Sequence, residues 1–251
     1  MKIALIADLH ANFTAFQAVL SDLKRARPDL IICLGDVAET GPQPREVISR
    51  LRELGDPVVM GNTDAQMLQP IETEEEVDED RKRMEDIFRW CVEQLGEDDL
   101  NYLRTFQPHV EVDMGQGVRL VCYHGSPRSN KERIEMSTPE DALAEMLAGH
   151  DATIFAGGHT HQVMLRSYAS SLVINPGSVG LPFVYEDGMV RNPSWAEYAL
   201  VTNNTVRTHH GAGVGELRVD FRRTPVNLEA LKAAVRTSGM PHADWWLRDW
   251  S

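Results

Sequence analysis

The chain has 251 residues, 42% hydrophobic and 25% charged, enough to bury one large core or two small ones. A formal net charge of −13 opposes stable nucleic-acid binding and contact with an anionic membrane, although bound metal ions can reverse the field around a nucleotide-sized substrate. Three cysteines without a Cys-x-x-Cys pair, a first apolar run broken already at Asp8 and no span of membrane length argue against a disulfide scaffold, a signal peptide and a membrane protein; a cytoplasmic location is expected.

In chain order, Lys2 to Ala7 reads as a short buried strand that ends in Asp8-Leu9-His10. Taken alone, Asp8 would be a turn or cap residue. Phe16, Val19, Leu20 and Leu23 recur at helical spacing. Leu30 to Leu34 is a second buried strand, closed by Gly35-Asp36. Val47, Ile48, Leu51 and Leu54 mark a second helix, and Pro57 to Met60 a third strand closed by Gly61-Asn62-Thr63-Asp64. This βαβαβ order predicts a parallel sheet with right-handed crossovers, whose ligand site lies at the carboxyl ends of the strands. Asp8, His10, Asp36 and Asn62 are therefore expected on one rim.

Residues 65–110 look like a helical insertion. It holds a run of acids from Glu72 to Asp80, read as a solvated loop or helix start. Met84, Ile87, Phe88, Cys91 and Leu95 then pattern an amphipathic helix, and Leu100 and Leu103 a shorter one after Asp98. Arg119 to Tyr123 is another strand, ending in His124-Gly125. Thr138 and Pro139 read as the N-cap and first residue of a helix that runs to Leu147 and stops near Gly149. Ile154 to Ala156 ends a strand at Gly157-Gly158-His159-Thr160-His161, where two imidazoles at i and i+2 can lean toward one cavity in an extended or tight-loop conformation. Leu172 to Ile174 leads into Asn175-Pro176-Gly177-Ser178. Residues 197–221 alternate like antiparallel strands, with His209 and His210 read as hairpin residues. Leu228, Leu231 and Val235 make a last helix. The Trp-rich tail, Trp245, Trp246 and Trp250, is expected to pack on its own domain. No repeat or linker divides the chain, so one domain over 1–251 is expected, with a C-terminal helix and tail over 227–251.

The strand-end residues Asp8, His10, Asp36, Asn62, His124, His159 and His161 form an ordered set. In it the chain resembles the calcineurin-like metallophosphoesterases, through Asp8-Leu9-His10, Gly35-Asp36, Gly61-Asn62, His124-Gly125 and Gly158-His159-Thr160-His161. Leu30 to Asp36 and Asn175 to Ser178 resemble the small bacterial phosphodiesterase branch. The resemblance implies an α/β fold of two facing mixed sheets flanked by helices, a four-layer α/β/β/α sandwich. It also implies two divalent ions, one on Asp8, His10, Asp36 and His161 and the other on Asp36, Asn62, His124 and His159, with a metal-bridging water as nucleophile. Asp36, Asn62 and His124 would then be catalytic as well as ligating. His, Asp and Asn donors suit Mn, Fe, Zn, Ni or Co alike.

The chain departs from the family at Thr63, where many members carry the histidine taken as general acid, and at Ala11, where a glycine is frequent. Asn12 reads equally as a substrate contact or a helix N-cap. The reading implied is a metal-dependent phosphoric ester hydrolase acting on a small phosphodiester, with nucleotides among the candidate substrates. A phosphomonoesterase and a weakly active or inactive metal-binding scaffold are the alternatives, and an oligomer is compatible with all three.

Overall fold

The computed structural model describes residues 1–70, 78–207 and 213–250. His209, His210 and most of the acidic run lie outside the described residues. The described elements begin β1 (Lys2–Ile6), α1 (Phe13–Ala26), β2 (Leu30–Cys33), α2 (Pro44–Leu54), α3 (Asn62–Met67), α4 (Glu79–Gln94) and α5 (Glu97–Leu103). They continue with β3 (His109–Asp113), β4 (Arg119–Tyr123), α6 (Glu140–Met146), β5 (Ile154–Ala156), β6 (Met164–Tyr168) and β7 (Ser171–Asn175). Last come β8 (Val184–Glu186), β9 (Met189–Arg191), β10 (Trp195–Arg207), β11 (Gly213–Pro225), α7 (Leu228–Thr237) and α8 (Ala243–Leu247).

Two large mixed sheets carry the fold, in the orders β11-β10-β1-β2 and β3-β4-β5-β7-β6. β1 pairs parallel with β2 but antiparallel with β10. In the second sheet β5 lies parallel between β4 and β7. Side chains alternate across a strand, so β1 serves two cores at once. Ile3 and Leu5 meet Leu120, Cys122, Ile154 and Ile174 of the facing sheet. Ala4 and Ile6 meet Phe16, Val19, Val47 and Ile48 of the helices on the other side. Leu143 and Leu147 cover the outer face of the second sheet through Val121, Phe155 and Val173. This is the expected four-layer order. Cys33, Cys91 and Cys122 are free and buried, as small apolar core residues.

Two local readings are corrected. Pro57 to Met60 is not a full strand: only Val58 and Val59 make bridges, to Cys33 and Gln107. The chain must turn immediately at Gly61, which leaves no length for a ladder. Thr138 does not cap α6; its hydroxyl oxygen accepts from the Glu135 backbone N–H, and Pro139 takes the cap position without a side-chain bond. The tail packs inward, with Trp246 and Trp250 buried in the helix-side core. Among the described residues no helix is long and apolar enough to cross a membrane.

Candidate metal centre

Six non-glycine residues at the strand ends adopt positive φ: Asp8, His10, Ala11, Asp36, His159 and His161. Such conformations cost about 1–3 kcal/mol each and persist only where the surroundings hold them. Here the loops hold one another. The backbone N–H groups of Asp8, His10 and Ala11 donate to Gly35, Asp36 and Val37 carbonyls at 3.0, 3.0 and 2.9 Å. Gly158 N–H donates to the His124 carbonyl at 2.9 Å, which joins two strand ends of the second sheet. Gly61 approaches so closely that a Cβ there would collide with the Asp36 carboxylate.

All seven strand-end residues singled out from the sequence lie in this one place. The candidate ligand atoms of Asp8, His10 and His161 lie within 4.8 Å of one another, as do those of Asp36, His124 and His159. His10 Nε2 is 2.9 Å from His161 Nε2, and His161 Nε2 is 3.4 Å from Asp8 Oδ1. His124 Nε2 is 3.3 Å from Asp36 Oδ2 and 3.0 Å from Asn62 Oδ1. His10 belongs with one group and also shares a cluster with Asp36 and Glu39, so Asp36 stands between the two groups.

The imidazole orientations suit metal ligation. His124 Nδ1 sits 2.7 Å from the Leu34 carbonyl oxygen and His161 Nδ1 2.8 Å from that of Leu181. A carbonyl only accepts, so each Nδ1 carries its proton and turns the Nε2 lone pair into the cavity. Glu39 Oε1 lies 2.7 Å from His10 Nδ1, and its charge favours a proton on that nitrogen, although the contact lacks hydrogen-bond geometry. Burial alone would lower the His10 pKa, yet the Glu39, Asp36 and Asp8 carboxylates outweigh it and raise it to about 9. Burial likewise opposes protonation of His124, and the adjacent Asp36 overrides it, raising the pKa to about 9. These buried carboxylates favour the protonated His10 and His124 rings at neutral pH; a divalent ion would take the place of those protons, and the donor set suits divalent transition metals.

Several further residues build the site, some of them not singled out from the sequence. Glu39 is one. Asp64 is another: its buried carboxylate accepts the backbone N–H of Asp36, Val37 and Gly61 at 2.8, 2.9 and 2.9 Å, locking the Asp36 loop to the Asn62 loop. Its place three residues after Gly61, at the start of α3, is a capping signal legible in the chain. Asn175 donates to the Gly158 carbonyl at 2.6 Å and to Thr160 Oγ1 at 3.0 Å, bracing the His159–His161 loop. Ser178 Oγ donates to the Asp8 carbonyl at 2.8 Å. Asn12 is a cap and brace: its Oδ1 accepts from Ala15 N–H, and its Nδ2 donates to the Gly180 carbonyl. Thr63 N–H donates to Asp36 Oδ1 at 3.0 Å, while its buried hydroxyl has no hydrogen-bond partner among the described residues.

A family model described as a calcineurin-like phosphoesterase superfamily domain matches residues 1–203. An uncharacterized protein from Methanocaldococcus jannaschii is 28% identical over 195 residues, which span 72% of this chain and 76% of that relative. A metallophosphoesterase structure from Sphaerobacter thermophilus is 25% identical with a TM-score of 0.69, covering 99% of this chain and 98% of that one. A hypothetical protein from Pyrococcus horikoshii OT3 is 19% identical with a TM-score of 0.77, covering 96% and 94%, and shows likeness of fold alone.

Proposed function

The chain belongs to the calcineurin-like phosphoesterase superfamily, and on that premise we propose that it uses two divalent transition-metal ions to hydrolyse a small phosphodiester. Asp8, His10, Asp36 and His161 would hold one ion, and Asp36, Asn62, His124 and His159 the other. Such ions supply an acidified water and offset charge on the phosphoryl oxygens. The observation that carries the reading is the pair of ligand-atom groups, each within 4.8 Å, with Asp36 between them.

The protein's own groups have distinct tasks. Asp36 has two carboxylate oxygens, which lets it face both groups at once. The Leu34 and Leu181 carbonyls hold His124 and His161 in the ligating tautomer, and the Glu39 charge faces His10 Nδ1. The Asn62 amide combines an acceptor oxygen with an NH₂ that can donate to a phosphoryl oxygen.

A diester is proposed over a monoester because Leu30 to Asp36 and Asn175 to Ser178 resemble the small bacterial phosphodiesterase branch. The Asp8, Asp36 and Glu39 carboxylates crowd the cavity, and Arg133 adds positive charge near His159. The test is turnover of bis(p-nitrophenyl) phosphate against p-nitrophenyl phosphate by Mn²⁺-loaded protein. Faster diester turnover is expected. Preference for the monoester would reassign the substrate, and metal binding without turnover of either would favour the scaffold.

A further inference from the structure

The wall of the centre on the His161 side is aromatic. A cavity of about 210 Å³ adjoins it, lined by His161 together with Phe183, Met84, Asn192, Trp245 and Trp246. Pockets of about 300–1,000 Å³ take whole drug-sized ligands, so this one has room for a single ring system. The Phe183 ring leans on the His161 imidazole, with centroids 5.6 Å apart and planes at 39°. The cavity is therefore continuous with the side chain whose Nε2 faces Asp8.

Its aromatic walls are held in place. Trp246 Nε1 donates to the Thr40 carbonyl at 2.6 Å, and Trp245 Nε1 donates to Asp80 Oδ1 at 2.8 Å. The Arg248 guanidinium sits 4.8 Å from the Trp245 ring centre and pairs with Asp80 at 2.9 Å. Asn192 N–H donates to the Asp249 carbonyl, which ties the tail to the segment just after β9. Both indole N–H groups are committed, so neither ring carries an unmet donor, and the Trp245 ring also has Arg83 at 6.0 Å from its centre. The Asn192 side-chain amide makes no hydrogen bond among the described residues, and it supplies a donor and an acceptor at the cavity wall.

Resting on the hydrolase reading above, we propose that this cavity binds a planar ring of the phosphate ester, a nucleobase or an aryl group, against Phe183 and Trp245. The Trp-rich tail then serves as a substrate wall as well as a packing element. A preformed aromatic wall binds a flat ring with little ordering cost, and stacking tolerates any base.

The test is calorimetric binding to Mn²⁺-loaded protein of adenosine 5′-monophosphate and ribose 5-phosphate, which differ by the ring alone. Wild type should bind the nucleotide about tenfold more tightly, within the range of one aromatic stacking contact. Phe183→Ala should bring that ratio to about one to twofold, and Phe183→Tyr, which keeps a ring, should restore it. Equal binding of the two ligands by wild type would overturn the proposal, as would a ratio that survives both Phe183→Ala and Trp245→Ala. Turnover of bis(p-nitrophenyl) phosphate with equal binding of the two probes would sink the ring site alone. A nucleotide preference without turnover of any ester would sink the hydrolase reading alone.

Discussion

His10 Nε2 and His161 Nε2 lie 2.9 Å apart, although 151 positions separate them in the chain. The Nδ1 of each ring is already engaged, by Glu39 and by the Leu181 carbonyl, so both rings point their remaining nitrogen at the same spot. A cation there is the natural third party. Stripping the protein with a chelator should lower its melting temperature, and added Mn²⁺ should restore it, because a ligand that binds only the folded state stabilises it by mass action. An unchanged melting temperature across both treatments would mean that no ion binds this pair tightly.

Glu39 touches His10 at 2.7 Å and is itself buried. Glu39→Gln keeps the shape and removes the charge that orients the ring. Loss of a partner behind a ligating histidine typically weakens metal binding about 10–100-fold. Equilibrium dialysis with metal analysis measures it; undiminished affinity would show that His10 holds its orientation without help.

Asp36 stands between the two ligand groups, whereas Asp8 sits in one of them. Asp36→Asn is expected to cost more turnover and more bound metal than Asp8→Asn, because one charge is withdrawn from both groups. Circular dichroism should show the fold intact in each. If Asp36→Asn keeps two tightly held ions and near-normal turnover, Asp36 is no bridge.

Thr63 occupies the position where many family members carry a histidine. Its hydroxyl has no hydrogen-bond partner among the described residues, and Asp64 is committed to three backbone N–H groups, so it cannot orient a new imidazole as an Asp behind a catalytic histidine would. Turnover in wild type is expected to fall steeply as the leaving group becomes more basic. General acid catalysis is worth about 10²–10⁴-fold, and Thr63→His should recover only a small part of it for alkyl esters and none for aryl esters. Equal rates for an aryl and an alkyl ester in a chemistry-limited assay would place the proton donor elsewhere.

Asp22 ties α1 to the sheet. Its carboxylate accepts from the Tyr198 hydroxyl and from Arg25 at 2.8 Å, with Arg222 at 3.7 Å. Burial pulls its pKa upward, but these bonds and charges prevail and hold it below the usual carboxylate value. A depressed folded pKa adds stability above the unfolded value of about 4, which is lost as pH falls through the folded value. Asp22→Asn should therefore cost about 1 kcal/mol at neutral pH and progressively less on acidification below about pH 4. A difference in unfolding midpoint that is independent of pH would assign the effect to packing instead.

Much of the fold was legible because it rests on local regularities. Helical spacing located α1, α2, α4 and α7, and short apolar runs located β1, β2, β4, β5 and β7, since each pattern belongs to one segment and is set by which face it buries. The edge strand β3, half-exposed, and the β8–β9 hairpin gave weaker apolar patterns. The hairpin's Asp187-Gly188 turn, with φ of 51° and 77°, is a signal the chain does carry. The strand ends also picked out the seven candidate ligands, because a parallel sheet gathers its carboxyl ends on one rim.

The sequence by itself determined which residues could stand at that rim; the tertiary structure decided what holds them there. Glu39 behind His10, Ser178 on the Asp8 carbonyl 170 positions away and the Trp-rich tail beside His161 have no periodicity to betray them. Each acts through a hydrogen bond or a contact across distant segments. Such contacts exist only once two sheets have packed face to face and brought separate strand ends within a few ångströms.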